Sequence, residues 1–175
     1  PDKDFEESDY FRHYMGLLNS ERLNQILEKY DLEVNFYLHA KFQEYADTFK
    51  SISKRIHLIS FGEVAVNEML MRCRMLITDY SSVCWDILYQ DKPSLFYQFD
   101  IEKYNEAHGS YIDMETELFG DRAATQEQLL DYLEETVQND FRLKPEYEKM
   151  RGEYLQFKDH EHSRHICEEI KKRFH

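Results

Sequence analysis

The strongest constraint on the fold is the sequence Met-Leu-Ile-Thr-Asp-Tyr-Ser-Ser at residues 75–82. Its first four residues form a short apolar run, which is typical of a buried strand. The segment Asp79–Ser82 is rich in residues that form turns and begin helices. Apolar residues then recur at helical spacing, at Val83, Cys84, Ile87 and Leu88. The stretch therefore predicts a strand, a tight turn and a helix in direct succession.

Strands that alternate with helices between Leu32 and Tyr97 define the predicted fold class. The predicted strands are Leu32–Leu38, Ile56–Ser60, Met75–Thr78 and Ser94–Tyr97, and helical patterns cover residues 42–49, 64–72 and the segment after Ser82. Because parallel strands joined by helices take right-handed crossovers, this order predicts a Rossmann-like α/β fold with a mainly parallel sheet flanked by helices.

The remainder of the chain is predicted to be mostly helical. We expect two helices, or one with a break, within residues 10–30, with Ser20 as N-cap of the second. A capping box at Thr125 predicts the start of a helix that ends near Gln138. Further expectations are a short helix or irregular segment at 101–107, a brief strand at 109–113, a loop at 114–123, and helices at 145–157 and 161–174. Residues 1–9 are acidic and are expected to be frayed or part of a linker. Residues 1–175 are thus predicted to form a single domain.

Composition restricts the possible partners. The formal net charge of −13 argues against nucleic-acid binding, which needs a basic surface, but leaves room for an anionic small ligand held by local donors. Three cysteines without metal-ligand spacing are typical of reduced thiols in a cytosolic setting. The sequence shows neither a signal peptide nor an apolar run of transmembrane length. Because it begins at Pro1 and not at Met, we expect a piece of a longer protein.

The turn at residues 79–82 is the main candidate for a binding site. The first turn of a helix has unpaired N–H groups and the positive end of the helix dipole, which suit a phosphate. The hydroxyls of Ser81 and Ser82 would add donors. The simpler interpretation is that Ser81 or Asp79 only caps the helix. The residues alone favour capping and leave phosphate binding as the alternative.

Other polar residues follow the predicted strands or the turn. His39 lies at the end of a predicted strand, as Asp79 does, so both are expected at one sheet edge, where a histidine can pair with a phosphate oxygen or assist a leaving group. Asp86, on the first turns of the next helix, could bind a ligand hydroxyl or orient the turn. His108 and Gly109 could flank a ligand. The alternatives are a surface histidine, a solvated carboxylate and a plain turn.

Several common catalytic and metal-binding patterns are absent. The sequence has no Gly-x-Gly-x-x-Gly, no Walker loop and no Gly-x-Ser-x-Gly, so serine hydrolase chemistry is not indicated. His160, His162 and His165 resemble a metal cluster at first sight, but no Glu-x-x-His pair or cysteine partner accompanies them. A solvated helix start is the better interpretation, and no metal ligand is predicted.

Taken in order, the motifs resemble the CDP-glycerol glycerophosphotransferase family, the bacterial teichoic-acid primases and polymerases. The similarity is carried by Leu-Ile-Thr-Asp-Tyr-Ser-Ser at 76–82, by Asp86 and by Asp-Lys-Pro-Ser-Leu-Phe-Tyr-Gln-Phe-Asp at 91–100. Shorter matches are Leu38-His39, Gly109-Ser110-Tyr111, Phe119-Gly120, Phe157-x-Asp159 and Ser163-Arg164. The resemblance covers roughly residues 10–170.

This resemblance implies a donor-binding role. Family members have a two-domain B-type (GT-B) glycosyltransferase architecture, and the matching part is the second half, which holds the CDP-linked donor. By resemblance, His39 contacts the donor phosphates and assists the departing nucleotide, while Ser81 and Ser82 hold the diphosphate. The family's catalytic base, a histidine of a His-Gly-Thr loop, belongs to the first half, which this chain lacks. Ala40 in place of the usual proline and His108 in place of a common arginine leave the donor's identity open.

The implied reaction is attack by an acceptor hydroxyl on the phosphorus next to glycerol, which expels CMP. The implied partners are CDP-glycerol or a similar CDP-polyol, a lipid-linked polyol-phosphate acceptor and a missing N-terminal domain. The resemblance also implies that the parent protein acts in the cytoplasm, peripheral to the inner face of the cell membrane. No cofactor is expected if the donors suffice, and Mg²⁺ stays an open alternative. Two other functions remain: a sugar-nucleotide glycosyltransferase half-domain, and a non-catalytic nucleotide-binding or interaction module. Alone, the chain is expected to bind donor weakly and turn over nothing.

Overall fold

The computed structural model describes residues 3–38, 40–109, 112–157 and 159–174. The helices are α1 (Lys3–Glu6), α2 (Asp9–Leu18), α3 (Glu21–Lys29), α4 (Val66–Arg72), α5 (Cys84–Tyr89), α6 (Ile101–Ala107), α7 (Gln126–Gln138), α8 (Pro145–Tyr154) and α9 (His162–Phe174). The strands are β1 (Val34–Tyr37), β2 (Ile56–Ile59), β3 (Leu76–Thr78), β4 (Ser94–Tyr97) and β5 (Asp121–Ala123). A 3₁₀ helix, Ala40–Thr48, lies between β1 and β2.

All strand pairs among the described residues are parallel, as predicted. β1 pairs with β2 in a two-stranded sheet, and β4 lies between β3 and β5 in a three-stranded sheet. Leu95 of β4 lies opposite Ile77 on one side and opposite Asp121 on the other. Because the strands run in the same direction, the residues that follow Thr78 and Tyr97 meet at one end of the sheet, which we call the carboxyl edge.

Two hydrophobic clusters cover the two faces of β4. All four residues of this strand are buried. Leu95 and Tyr97 join the larger cluster, whereas Phe96 joins the smaller one, since successive side chains of a strand point to opposite faces. The larger cluster also contains residues of α2, α3 and α7, among them Leu18, Leu27 and Leu129. The smaller one contains residues of α5 and of the segment before β5, among them Leu88, Leu118 and Phe119.

The predicted capping residues mark two helix starts correctly. The Ser20 side chain accepts a hydrogen bond from the Leu23 N–H at 3.2 Å, at the start of α3. At the start of α7, the Thr125 hydroxyl accepts from the Gln128 N–H at 3.3 Å, and Gln128 Oε1 accepts from the Ala124 N–H at 3.0 Å. These bonds satisfy N–H groups that a helix start leaves unpaired.

Some local predictions differ from the structure. Within residues 1–9, where a frayed segment or linker is expected, Lys3–Glu6 form α1 and the Phe5 ring stacks on Tyr45 with 3.9 Å between centroids. The helix expected at 42–49 is a 3₁₀ helix rather than an α-helix. Among the described residues of the strand expected at 109–113, namely 109, 112 and 113, none is in a strand, and 110 and 111 lie outside the described residues.

The loop predicted at 114–123 contains β5. Asp121 and Arg122 are charged, which is why the pattern favours a loop. The strand can form because Gly120 brings the chain close to β4: a Cβ at Gly120 would lie 2.1 Å from the Ser94 carbonyl oxygen. Lys144 Nζ lies 2.9 Å from Asp121 Oδ2, so the charge of that carboxylate is paired.

Candidate functional site

The turn after β3 lies against the end of β4 at the carboxyl edge. Gln98, the first residue after β4, is fully buried, and its Nε2 donates a hydrogen bond to the Asp79 carbonyl oxygen at 3.0 Å. Asp79 Oδ1 accepts a hydrogen bond from the Tyr80 N–H at 2.6 Å. The Asp79 carboxylate therefore closes the turn and does not cap α5. We call Asp79–Val83 the β3–α5 turn.

A tyrosine of α2 also contacts the Asp79 carboxylate. The Tyr14 hydroxyl donates to Asp79 Oδ2 across 3.5 Å. Burial, and to a lesser extent the negative charge of Asp79, raises the pKa of the Tyr10 and Tyr14 hydroxyls well above their usual range. Both hydroxyls stay protonated at neutral pH, so Tyr14 remains a donor to Asp79. Asp79 thus has partners within the protein, and its role toward a ligand stays a prediction.

The hydroxyls of Ser81 and Ser82 do not cap α5. The N-cap of this helix is Val83, and no side-chain capping bond is made there. The backbone carbonyl of Ser81, and not its hydroxyl, accepts a hydrogen bond from the Cys84 N–H at 3.3 Å. The prediction of a capping serine is wrong, because the helix begins only at Cys84.

The same turn holds hydrogen-bond donors that lack acceptors among the described residues. Within the described ranges, the hydroxyls of Ser81 and Ser82 and the N–H groups of Ser81, Ser82 and Val83 make no hydrogen bond to the protein. Ser82 is exposed and Ser81 is half-buried, so a dissolved ligand can reach them. Because α5 has only six residues, these donors matter more for an anion than the helix dipole does. We call these groups the free donors.

Asp86 lies beside the turn on a groove between α4 and α5. The groove has a volume of about 340 Å³ and is lined by Val66, Asn67, Leu70, Met71, Asp86 and Gln90. The Asp86 side chain is exposed, while its backbone carbonyl accepts a hydrogen bond from Gln90 Nε2 at 3.1 Å. A carboxylate and the Asn67 amide beside apolar side chains can hydrogen-bond a hydroxylated ligand.

Stacked rings connect His108 with the turn. The His108 imidazole stacks on Tyr104 with 5.1 Å between centroids, and Tyr104 stacks on Tyr80 with 3.6 Å between centroids and 5° between planes. The Tyr80 hydroxyl donates to Asp100 Oδ1 at 2.8 Å. We call Tyr80, Tyr104 and His108 the aromatic stack. It connects His108, and Gly109 after it, to the carboxyl edge through two tyrosine rings.

The sequence matches a known protein family over almost its whole length. Residues 3–172 fit the family model described as CDP-Glycerol:Poly(glycerophosphate) glycerophosphotransferase. The chain belongs to this family. The minor teichoic acid biosynthesis protein GgaB of Bacillus subtilis (strain 168) is 27% identical over 157 residues, which are 89% of this chain and 17% of that protein. The teichoic acid glycerol-phosphate transferase of Staphylococcus aureus (strain NCTC 8325 / PS 47) is 27% identical over 146 residues, which are 81% of this chain and 34% of that protein.

The solved structure of a wall teichoic acid polymerase shares the fold of this chain. The wall teichoic acid polymerase TagF superposes with a TM-score of 0.65 at 21% identity, over 91% of this chain and 39% of that chain. This match confirms the Rossmann-like α/β fold class with parallel sheets flanked by helices. This chain of the glycerophosphotransferase family therefore spans well under half the length of these proteins.

The described part of this family member contains neither a cluster of potential metal ligands nor a helix suited to a membrane span. No three His, Cys, Asp or Glu side chains are grouped there to hold a metal ion. His165 Nε2 lies 2.7 Å from Asp159 Oδ2, and His162 Nε2 lies 3.0 Å from the Tyr89 hydroxyl, so these two histidines have protein partners. None of the described helices combines the length and the apolar character that a membrane span requires.

Three of the predicted site residues of this family member, Asp79, Ser81 and Ser82, belong to the turn at the carboxyl edge. His108 is connected to that turn by the aromatic stack, and Gly109 follows it in sequence. Asp86 lies on α5, in the groove between α4 and α5. His39, the predicted catalytic residue, lies outside the described residues, as do Ser110 and Tyr111.

Sequence reasoning missed two residues that hold the turn, Gln98 and Tyr14. Gln98 directly follows the predicted strand Ser94–Tyr97, so the rule that selects residues after parallel strands would have found it. Tyr14 belongs to α2, 65 residues before Asp79, and no sequence pattern connects the two.

Proposed function

We propose that this chain is the donor-binding part of a transferase that moves glycerol phosphate, or a related polyol phosphate, from a CDP-linked donor to a teichoic-acid-type acceptor and releases CMP. Family membership over residues 3–172 supports the reaction class. The observation that carries the proposal is the group of free donors in the β3–α5 turn. In this proposal residues 1–175 form one donor-binding domain, comparable to the C-terminal half of a B-type glycosyltransferase.

The free donors suit a diphosphate. Phosphate oxygens would accept hydrogen bonds from the N–H groups of Ser81, Ser82 and Val83 and from the two serine hydroxyls. Hydrogen bonds to an anionic oxygen are roughly twice as strong as those between neutral groups. That difference offsets the repulsion from a chain whose formal net charge is −13. Because the turn contains no basic side chain, recognition depends on how the donors are oriented.

The same donors would act in the reaction. The acceptor hydroxyl oxygen forms a new bond to the phosphorus next to glycerol, and the bond from that phosphorus to the oxygen of CMP breaks. Negative charge collects on the departing CMP, where correctly placed donors stabilise it. By its match to the family's Leu-His-Pro sequence, His39 is assigned to the donor phosphates and to the departing nucleotide. By the same resemblance, a base in an N-terminal domain outside the chain takes the acceptor proton.

The groove beside the turn would bind the hydroxylated part of the donor. The Asp86 carboxylate can accept hydrogen bonds from ribose or polyol hydroxyls, which are donors that phosphate-binding groups do not satisfy. His108 and Gly109 would flank the ligand beyond the aromatic stack. The acceptor in this proposal is a lipid-linked polyol phosphate, and the parent protein acts in the cytoplasm, peripheral to the inner face of the membrane.

The proposal is tested by calorimetric titration of the chain with CDP-glycerol, CMP and a UDP-sugar. We expect saturable binding of the two cytidine ligands, and loss of binding in the double variant Ser81→Ala/Ser82→Ala. Ser163→Ala is the matched control, because this exposed serine lies on α9, directly after His162, whose imidazole contacts the hydroxyl of Tyr89 at the end of α5 that is remote from the turn. It should bind like the wild type.

Other results would reject the proposal in different ways. A preference for the UDP-sugar would indicate a sugar-nucleotide glycosyltransferase domain. Cytidine binding that survives in the double serine variant would move the phosphate site away from the turn. If no nucleotide binds, the chain does not form a donor site by itself: either an N-terminal domain completes the site, or the fold serves as an interaction module.

A further inference from the structure

A buried amide links the ends of β3 and β4, and the proposed function does not use it. Gln98 is 0% exposed. Its Nε2 donates to the Asp79 carbonyl at 3.0 Å and lies 3.7 Å from Met114 Sδ, whereas its Oε1 has no hydrogen-bond partner in the part of the chain that the structure describes. The orientation of the amide is fixed, because its reversal would place two oxygen acceptors against each other.

An amide is a poor choice here for stability alone. One hydrogen bond between neutral groups stabilises a folded protein less than an unpaired buried acceptor destabilises it. The glutamine pairs one acceptor, the Asp79 carbonyl oxygen, but buries another, its own Oε1, without a partner among the described residues. A methionine has similar length and flexibility, and it would remove the unpaired oxygen while retaining the packing against Met114. Stability therefore gives no reason for a glutamine at this position.

We infer that Gln98 is a positioning residue for phosphate binding at the β3–α5 turn, an inference that rests on the proposed function for its ligand. By holding the Asp79 carbonyl, Gln98 fixes the first peptide group of the turn. The free donors of Ser81 and Ser82 follow within three residues, so their directions depend on that peptide. A phosphate requires several donors to converge, and their alignment before binding raises affinity because less ordering is needed on binding.

The inference is tested with Gln98→Met in the whole chain. The matched control is Ser94→Ala, because Ser94 begins the same strand, is 2% exposed, and also has a hydroxyl without a partner among the described residues. Gln98→Met should melt at the wild-type temperature or above it, yet bind CMP about tenfold more weakly in calorimetric titration. Ser94→Ala should bind CMP with wild-type affinity.

Two outcomes overturn the inference directly. A Gln98→Met variant that melts below the wild type or does not fold would show that the glutamine serves stability, and unchanged CMP affinity would show that it does not position the site. If the wild type binds no phosphate ligand, the proposed function fails, and the amide NMR signals of Ser81 and Ser82 decide the inference. Lower ¹⁵N order parameters at these amides in Gln98→Met support an ordering role, and unchanged order parameters refute it.

Discussion

Replacement of Gly120 by alanine should disrupt the contact between β5 and β4. Gly120 is buried directly before β5. A Cβ there would lie 2.1 Å from the Ser94 carbonyl oxygen and 2.9 Å from Phe96 Cε2. The phenylalanine ring can tilt, but the carbonyl is part of the β4 backbone. Relief of the overlap therefore requires the two strands to move apart.

The size of the effect follows from what has to move. An added methyl group in a packed core costs about 1–3 kcal/mol where side chains can adjust. Here the obstacle is backbone, and its displacement also weakens the pairing of Leu95 with Asp121. We therefore expect a loss of at least about 3 kcal/mol in the free energy of unfolding. For a chain of this length that corresponds to a fall of roughly 6–12 °C in Tm.

Urea and thermal unfolding, followed by circular dichroism, measure this loss. Gly152→Ala is the matched control, because Gly152 lies inside α8 and, apart from the backbone of its own helix and its chain neighbours, no atom of the described residues lies within 4 Å of the added Cβ. Alanine is favoured over glycine in a helix, so this variant should gain about 0.5–1 kcal/mol. The same substitution should thus have opposite effects at the two positions. A Gly120→Ala variant within about 0.5 kcal/mol of the wild type would refute the reasoning.

Three further predictions concern a lysine, the cysteines and salt. Lys92 Nζ donates to the carbonyl oxygens of Leu70 and Met71 at 2.7 and 2.8 Å. Lys92→Met should therefore lower the free energy of unfolding in urea by about 1–3 kcal/mol, and an unchanged midpoint would contradict this. Burial raises the pKa of the Cys84 thiol to about 11, so at pH 8 it should react with Ellman's reagent only after unfolding, whereas exposed Cys167 reacts at once. The affinity for CMP should stay constant or rise with added NaCl, because salt screens the repulsion between CMP and a chain with a net charge of −13. A steep fall in affinity would indicate a basic group at the site.

The sequence predicted those parts of the fold that have local causes. The N-caps at Ser20 and Thr125 are short-range hydrogen bonds, and both were predicted correctly. β5 was missed because its causes are distant in sequence: it pairs with β4, and the charge of Asp121 is paired by Lys144. No local pattern distinguishes the 3₁₀ helix at 40–48 from an α-helix, since both place apolar residues at similar spacing.

The candidate site was predicted in position but not in detail. The apolar run before Asp79 places a turn at the end of a strand, and the structure has it there. The state of Ser81 and Ser82 was not predictable, because it depends on where α5 begins, and Val83 precedes its first residue. The aromatic stack joins three rings across 28 residues through tertiary packing, which leaves no periodic signal.

The two ends of the three-stranded sheet differ in how completely their polar groups are paired. Where β5 begins, Asp121 accepts a hydrogen bond from the Tyr147 hydroxyl at 2.9 Å and pairs with Lys144. At the carboxyl edge, the free donors have no protein acceptors among the described residues. Unpaired donors add nothing to stability, so the turn that holds them must be fixed by its neighbours. Substitutions where β5 begins should therefore change the free energy of unfolding, and those in the turn should change affinity. Gln98 is the exception to this division: it is buried in the core, yet because it is bonded to the turn its replacement by methionine should lower affinity and not stability.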